Sequence, residues 1–304
     1  MSIVSELSFS EFPTSKILHT TMRIVNQNRS IPLLRLLLHP ERLLTTVIAE
    51  QTLLRALIGR GIAQRFQGSF FQVLWPLITP LFLLTVYYWV FGTIFQVKFG
   101  DPGTPDGVFA LVMFGGMALY AVFQDGVLAG AYSILGQAQA VKKVVFPIEL
   151  LPVAAVTSSA FFAAAYLLIA AFGAWLMLGI PGIYALSILP VLLILFVLTL
   201  GTAFFVASLA VYFRDVPPLL TVLLQGLFFA TPIIYPISIV PEKLRAYLYW
   251  NPLTALVETG RNAYFFNQPP EWECLIYPAI TAAVIFYCGY LFFMKTKRGF
   301  ADVL

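Results

Sequence analysis

From Leu150 to Phe213 the chain runs for 64 residues without an Asp, Glu, Lys, Arg or His. A membrane-crossing helix needs about 20 apolar residues. This run is therefore long enough to cross a bilayer twice, and "GIPGIY" (Gly179–Tyr184) supplies a turn between the two passes. A water-soluble globule has no way to cover such a stretch together with its surroundings. The whole chain of 304 residues is 60% hydrophobic and only 11% charged, against about 25% charged for a typical soluble domain. The solvent for much of it is lipid.

The other charge-free runs are Phe66–Val97, Gly107–Gln124, Val216–Pro241 and Cys274–Met294. Together they predict six spans, at about 75–97, 107–130, 150–178, 184–212, 217–237 and 274–294. Backbone groups in lipid must be satisfied within the segment, so the spans are expected to be helices. Their unbroken apolarity argues against a barrel, whose strands alternate. The predicted class is an all-α integral membrane protein.

Lys and Arg set the orientation. With the N-terminus inside, the inner side holds Lys16, Arg23, Arg29, Arg35, Arg42, Arg55, Arg60, Arg65, Lys142, Lys143, Arg214, Lys295, Lys297 and Arg298. The outer side holds Lys98, Lys243, Arg245 and Arg261. Fourteen against four, out of 18, places both termini in the cytoplasm, as an even number of spans requires. The first thirty residues show no apolar core of secretory-signal length.

Three stretches outside the spans stand out. From Glu41 to Gln67 the pattern is helical, with Leu54, Ile58, Ile62 and Phe66 on one face and Arg55, Arg60, Gln64 and Arg65 largely elsewhere. Such a basic amphipathic helix lies flat in the interface. Between the second and third spans comes "AQAVKKVVFPIELLP" (Ala138–Pro152). Here Ile134, Ala138, Val141 and Val145 share a helical face, with Gln137, Gln139, Lys142 and Lys143 around it, and Pro147 ends the helix. That apolar face must rest on lipid, on the bundle itself or in a partner's groove. Beyond the fifth span, which Pro232 and Pro236 break, Glu242 to Phe266 shows two short helical patterns split at Asn251-Pro252. Both are too short and too charged to span. They are expected to be amphipathic helices dipping back toward the membrane.

Chemistry-bearing motifs are missing. No G-x-x-x-x-G-K-[ST], H-E-x-x-H, G-x-S-x-G or G-x-G-x-x-G occurs. Cys274 and Cys288 match no metal spacing, and no metal site is expected. Asp125 is the single acidic residue inside a predicted span. It is a functional candidate by default, and the alternative is that it reaches water at the inner end. The chain reads as a conduit without its own engine.

Three fragments then point to a family. "GQAQAVKKVVFPIELLPVA", "FRDVPPLLTVLLQGLFFATPIIYPI" and "YLYWNPLTALVETGRNAYF", in that order and spacing, resemble the permease subunits of type-2 ABC exporters, in the branch that exports lipid-linked polysaccharides such as O-antigens, teichoic acids and capsules. "RFQGSFFQVLWPLITPL" resembles that family's approach to the first span. The resemblance covers about residues 50–304, and it divides the chain into an extension at 1–45, longer than the family usually carries, and a transmembrane domain at 46–304.

The resemblance implies a homodimer with a channel at its interface, in a bacterial inner membrane. Two separate ABC ATPase subunits would hold ATP and Mg, this chain binding no cofactor and no nucleic acid. It implies that Gln137, Gln139, Val141, Lys142 and Lys143 form a coupling helix docked on the ATPase, and that Phe146, Pro147 and Glu149 pass its movement into the third span. It implies an outer gate around Tyr249, Trp250, Asn251, Pro252, Glu258 and Arg261. Aromatic rings stack on sugar C–H groups, so Tyr87, Tyr88, Phe91, Phe228, Phe229 and Tyr235 are candidates to line the channel. Membrane belt or bundle core is the other reading of each ring. Other open functions are a permease for another lipid or a small molecule, a membrane-embedded transferase and an ion-coupled carrier working through Asp125.

Overall fold

The computed structural model describes residues 41–65, 74–95, 108–143, 146–179 and 182–304. Most of the expected extension, residues 66–73, the loop at 98–107, Val145 and the Lys143 side chain lie outside the described residues. Every regular element among the described residues is helical.

Two helices, α1 (Glu41–Ala49) and α2 (Gln51–Gln64), precede α3 (Trp75–Tyr87), which continues into a π turn at Tyr88–Ile94. Next come α4 (Val108–Ser133), a 3₁₀ turn at Leu135–Gln137 and α5 (Ala138–Lys143). The long α6 (Leu150–Leu178) and α7 (Ile188–Tyr212) are joined through a 3₁₀ turn at Ile183–Ser187. Then follow α8 (Val216–Phe229), α9 (Glu242–Tyr249), α10 (Pro252–Phe265), α11 (Trp272–Thr296), a 3₁₀ turn at Lys297–Gly299 and α12 (Phe300–Val303).

Four helices are long and apolar enough to cross a membrane: α4, α6, α7 with its leading turn, and α11 with its tail. They match four of the six predicted spans nearly end to end. The other two are shorter apolar helices, Ile78–Ile94 and Val216–Phe229. The predicted fifth span, 217–237, stops as a helix at Phe229 because Pro232 and Pro236 lack the N–H groups to continue it. The first is shaped by Pro80 inside α3 and by the π turn, where the Phe95 amide reaches five residues back to the Val90 carbonyl.

Hydroxyls in these apolar helices are satisfied locally. Thr157, Thr199, Thr202, Ser208 and Thr296 each donate to the carbonyl four residues back. A hydroxyl bonded to its own helix can face lipid or a packed neighbour at small cost.

The hub is α4. In its most apolar stretch 78% is enclosed by other helices, against 22–33% for α6, α7 and α11. The approach is close because side chains are missing where it matters. A Cβ on Gly126 would meet Thr199, and one on Gly130 would meet Ala203, so α4 and α7 touch along small residues four apart. Gly201 and Gly289 play the same part between α7 and α11, each sitting against the other helix's backbone.

The core divides along the bundle. One end gathers Leu43, Ile134, Val141, Leu151, Phe204, Val211, Phe293 and Phe300, from α1, the residue after α4, and α5, α6, α7, α11 and α12. We refer to this as the α5 end. The opposite end gathers Val108, Phe114, Ala174 and Phe265, from α4, α6 and α10. A third cluster, with Leu119, Leu198, Leu256 and Ala282, lies between them along α4 and α7.

Candidate functional site

The loop between α4 and α6 is a corner with two faces. Ile134 and Val141, expected on its apolar face, are buried in the bundle's own core. Of the three supports open to that face in the sequence, the chain itself provides one. Gln139 and Lys142 point to solvent and Gln137 is half-buried. Val141 is packed into this chain's own core. After α5, Phe146 and Ile148 are half-buried against the same core, and Pro147 between them is half-buried too. The amides of Leu150 and Leu151 donate to the Pro147 and Ile148 carbonyls at 3.0 Å. The corner thus turns directly into the first residues of α6. Glu149 is buried, and its carboxylate accepts from Lys297 Nζ at 3.2 Å. That partner lies 148 residues on, and no local pattern announces it.

The basic helix α2 lies along α6, with Leu54 and Leu57 packed on the α5-end core. At its C-terminal end, Arg65 stands 3.7 Å from Asp125 on α4, the two side chains 48% and 30% exposed. The same guanidinium lies 4.5 Å above the Phe162 ring. The carboxylate expected inside a span is thus paired with a cation from the end of the amphipathic helix.

The two helices beyond α8 differ sharply. No residue of α9 is buried, whereas α10 is enclosed almost all round by α4, α7, α11 and the turn at Ile183–Ser187. The sequence predicts two amphipathic helices dipping back toward the membrane; α10 is instead packed within the bundle, its Glu258 beside Arg261. Its start is well specified. The Asn251 side chain accepts from the Leu253 amide at 3.0 Å, and Pro252 occupies the first turn. The Asn251 amide also donates to Thr231 Oγ1 at 2.8 Å, in the segment where α8 has stopped.

Arg261, 2% exposed, donates to the Pro232 carbonyl at 3.2 Å and lies 3.6 Å from Glu258. The Tyr249 hydroxyl bonds to Glu258. Burial pushes the Glu258 carboxyl above the usual carboxylate range, with Arg261 and the Tyr249 hydrogen bond opposing it. Asn251 and Arg261 therefore each fasten the broken end of α8 to α10, with Glu258 and Tyr249 grouped beside Arg261. Trp250 stands apart. It is 74% exposed, its ring edge-on to Tyr247, while its carbonyl accepts from Tyr277 at 2.7 Å.

The six candidate channel rings fall in two groups. Tyr87 and Phe91 pack toward α4, with Phe91 5.7 Å from the Phe109 ring, and Tyr88 faces outward. Phe228 meets Tyr120 edge-on at 5.4 Å, and Phe229 is exposed. The Tyr120 hydroxyl donates to the Leu224 carbonyl, and that of Tyr235 to Phe229 at 3.0 Å. Within one chain the groups belong to different clusters.

Sequence reading missed several of these contacts. Lys297 was counted only as an inner-side charge, and Phe300 was not singled out. The glycine pair in "GVLAG" (Gly126–Gly130) was legible as a close-packing motif. Among the described residues no group of His, Cys, Asp and Glu could hold a metal ion.

Comparison with known proteins gives a consistent result. A family model described as "ABC-2 type transporter" matches residues 52–265. The chain is 26% identical over 268 residues to an "O-antigen export system permease protein RfbA" of Myxococcus xanthus, covering 86% of this chain and 98% of the relative. To a Klebsiella pneumoniae protein of the same description it is 25% identical over 255 residues, covering 83% and 95%. To the "Polysialic acid transport protein KpsM" of Escherichia coli it is 25% identical over 251 residues, covering 79% and 92%.

Proposed function

The chain belongs to the ABC-2 type transporter family, and from that premise we propose that it is the permease subunit of an ATP-driven exporter of lipid-linked polysaccharide. In this reading two copies form a channel across the bacterial inner membrane, by six passes each, with both termini in the cytoplasm. Two copies of a separate ABC ATPase, holding ATP and Mg, dock on the α5 end. The cargo assignment draws on relatives named for O-antigen export and polysialic acid transport.

The observation that carries the docking role is the two-sidedness of α5. Its apolar side is sunk in the core while Gln139 and Lys142 face outward. A helix held this way moves as part of the bundle, so a rigid partner pushing on it moves α6. Lys142 and Lys143 would select an acidic surface on that partner. The orientation is supported by charge. Arg55, Arg60, Arg65, Lys142, Arg214, Lys295, Lys297 and Arg298 sit on elements that meet at the α5 end or on their flanks. Asp125 already has a cation in Arg65, which weakens the ion-coupled reading. At the other end, Tyr249, Asn251, Glu258 and Arg261 serve as the latch of the outer gate, and the aromatic groups of α3 and α8 line the path once two chains face each other.

The test is a native mass of the complex purified from its own membrane, followed by crosslinking. Cys274 and Cys288 are both exposed and are first replaced by serine. Two copies of this chain with two ATPase subunits are expected. A cysteine at Gln139 should then link to the ATPase, and one at Trp250 should not. A complex without any nucleotide-binding chain would reject the permease reading. Linkage from Trp250 alone would invert the topology.

A further inference from the structure

The corner that carries α5 is tied to the bundle twice. One tie is covalent, through Pro147 and Glu149 into α6. The other is made by the segment after α11. Lys297 reaches back to the buried Glu149 carboxylate at 3.2 Å, the two side chains 17% and 9% exposed. Phe300 is completely buried, edge-on to Phe293 of α11 at 5.5 Å and to Tyr212 of α7 at 6.1 Å. The Tyr212 hydroxyl donates to the Thr296 carbonyl at 3.1 Å. The short α12 lies directly against α5, and Leu304 joins the core that holds Ile134 and Val141.

These contacts set a mechanical constraint. Glu149 sits at the joint between α5 and α6, and Lys297 at the joint between α11 and α12. A buried carboxylate that loses its cation is strongly destabilised, so the joints stay together when either moves. Helix α11 then runs to the middle cluster, where Leu275 and Ala282 gather with Leu253, Leu256 and Val257 of α10. Packed interiors transmit displacement rather than absorbing it.

We propose that residues 297–304 form a second transmission arm, in which Lys297 and Phe300 act as positioning residues carrying displacement of α5 into α11 and from there to α10. This rests on the docking role proposed for α5. It adds that the push divides between α6 and α11, so that the outer latch at Glu258 and Arg261 receives it through α11.

The experiment uses the complete complex with its ATPase in lipid vesicles, with lipid-linked glycan as cargo. It reads three quantities: ATPase copies retained, ATP hydrolysed, and glycan moved per ATP. Lys297→Met and Phe300→Ala should retain the ATPase and its hydrolysis. Glycan moved per ATP should fall by about twofold to thirtyfold, the range for residues on a coupling route. Asp302→Asn, an exposed charge on the same segment, should change nothing. Exchanging the pair, Glu149→Lys with Lys297→Glu, should restore the ratio. A wild-type ratio in both single variants overturns the proposal. If those variants do not accumulate, the exchanged pair and the milder Phe300→Leu decide it. A normal ratio in the exchanged pair with a partial loss in Phe300→Leu supports the arm, and any other pattern overturns it. The docking role fails separately, if the unaltered chain retains no ATPase.

Discussion

Arg261 is a guanidinium almost wholly removed from solvent, and its neighbours explain why that is tolerated. Glu258 supplies the counter-charge and the Pro232 carbonyl an acceptor. The carbonyl is available because α8 has already ended, so the break in one helix serves the cation of another. Removing one member leaves the other buried without its counter-charge. Arg261→Leu is expected to cost about 3–5 kcal/mol, read as a large fall in thermal unfolding temperature in detergent. Glu258→Gln combined with Arg261→Leu should recover much of that loss, since no charge then stays stranded. Equal losses in the single and double variants would mean that packing, not charge, holds this site.

At the scale of elements, the contact between α4 and α7 depends on Gly126 and Gly130. Gly130→Leu forces the helices apart against Ala203, and overpacking of this kind costs about 1–3 kcal/mol. Gly136→Ala, where nothing lies within 4 Å, is the matched control and should leave the unfolding temperature unchanged. Comparable loss from both would show that the spacing of α4 and α7 is not set at Gly130. The same elements show what could be read in advance. Positions of α4, α6, α7 and α11 were legible because apolarity over twenty or more residues has one physical solution in lipid. The helix starts at Pro217 and Pro252 were legible because proline fits a first turn. The enclosure of α10 was not, since Glu258 and Arg261 look like surface charges until a tertiary partner is known. Nor was the pairing of Glu149 with Lys297, because it joins residues far apart in sequence and only folding brings them together. The α5 corner was legible as amphipathic, but the choice among lipid, bundle and partner for its apolar face lay in the packing.

For the molecule as a whole, the question is how a push at one end reaches the other. The buried core forms three clusters, with Val141 in one, Leu198 in the next and Phe265 in the third. Reversing charge at Lys142 and Lys143 to Glu should therefore leave this framework intact, because Lys142 is exposed and surface charges contribute about 0–1 kcal/mol to stability. The expected result is an unchanged unfolding temperature together with loss of ATP-coupled export. Retained export with normal coupling would remove α5 from the docking role.

The central position of α4 also has a consequence for synthesis. It is the least apolar of the four long helices and the most enclosed, yet it leaves the ribosome before α6, α7 and α10, which pack against it. For the time needed to make the next hundred or so residues, a helix shaped for protein neighbours must wait among lipids. A chain stopped after α4 should be inserted poorly and cleared quickly, whereas one that extends through α7 has the Gly130–Ala203 contact and can settle.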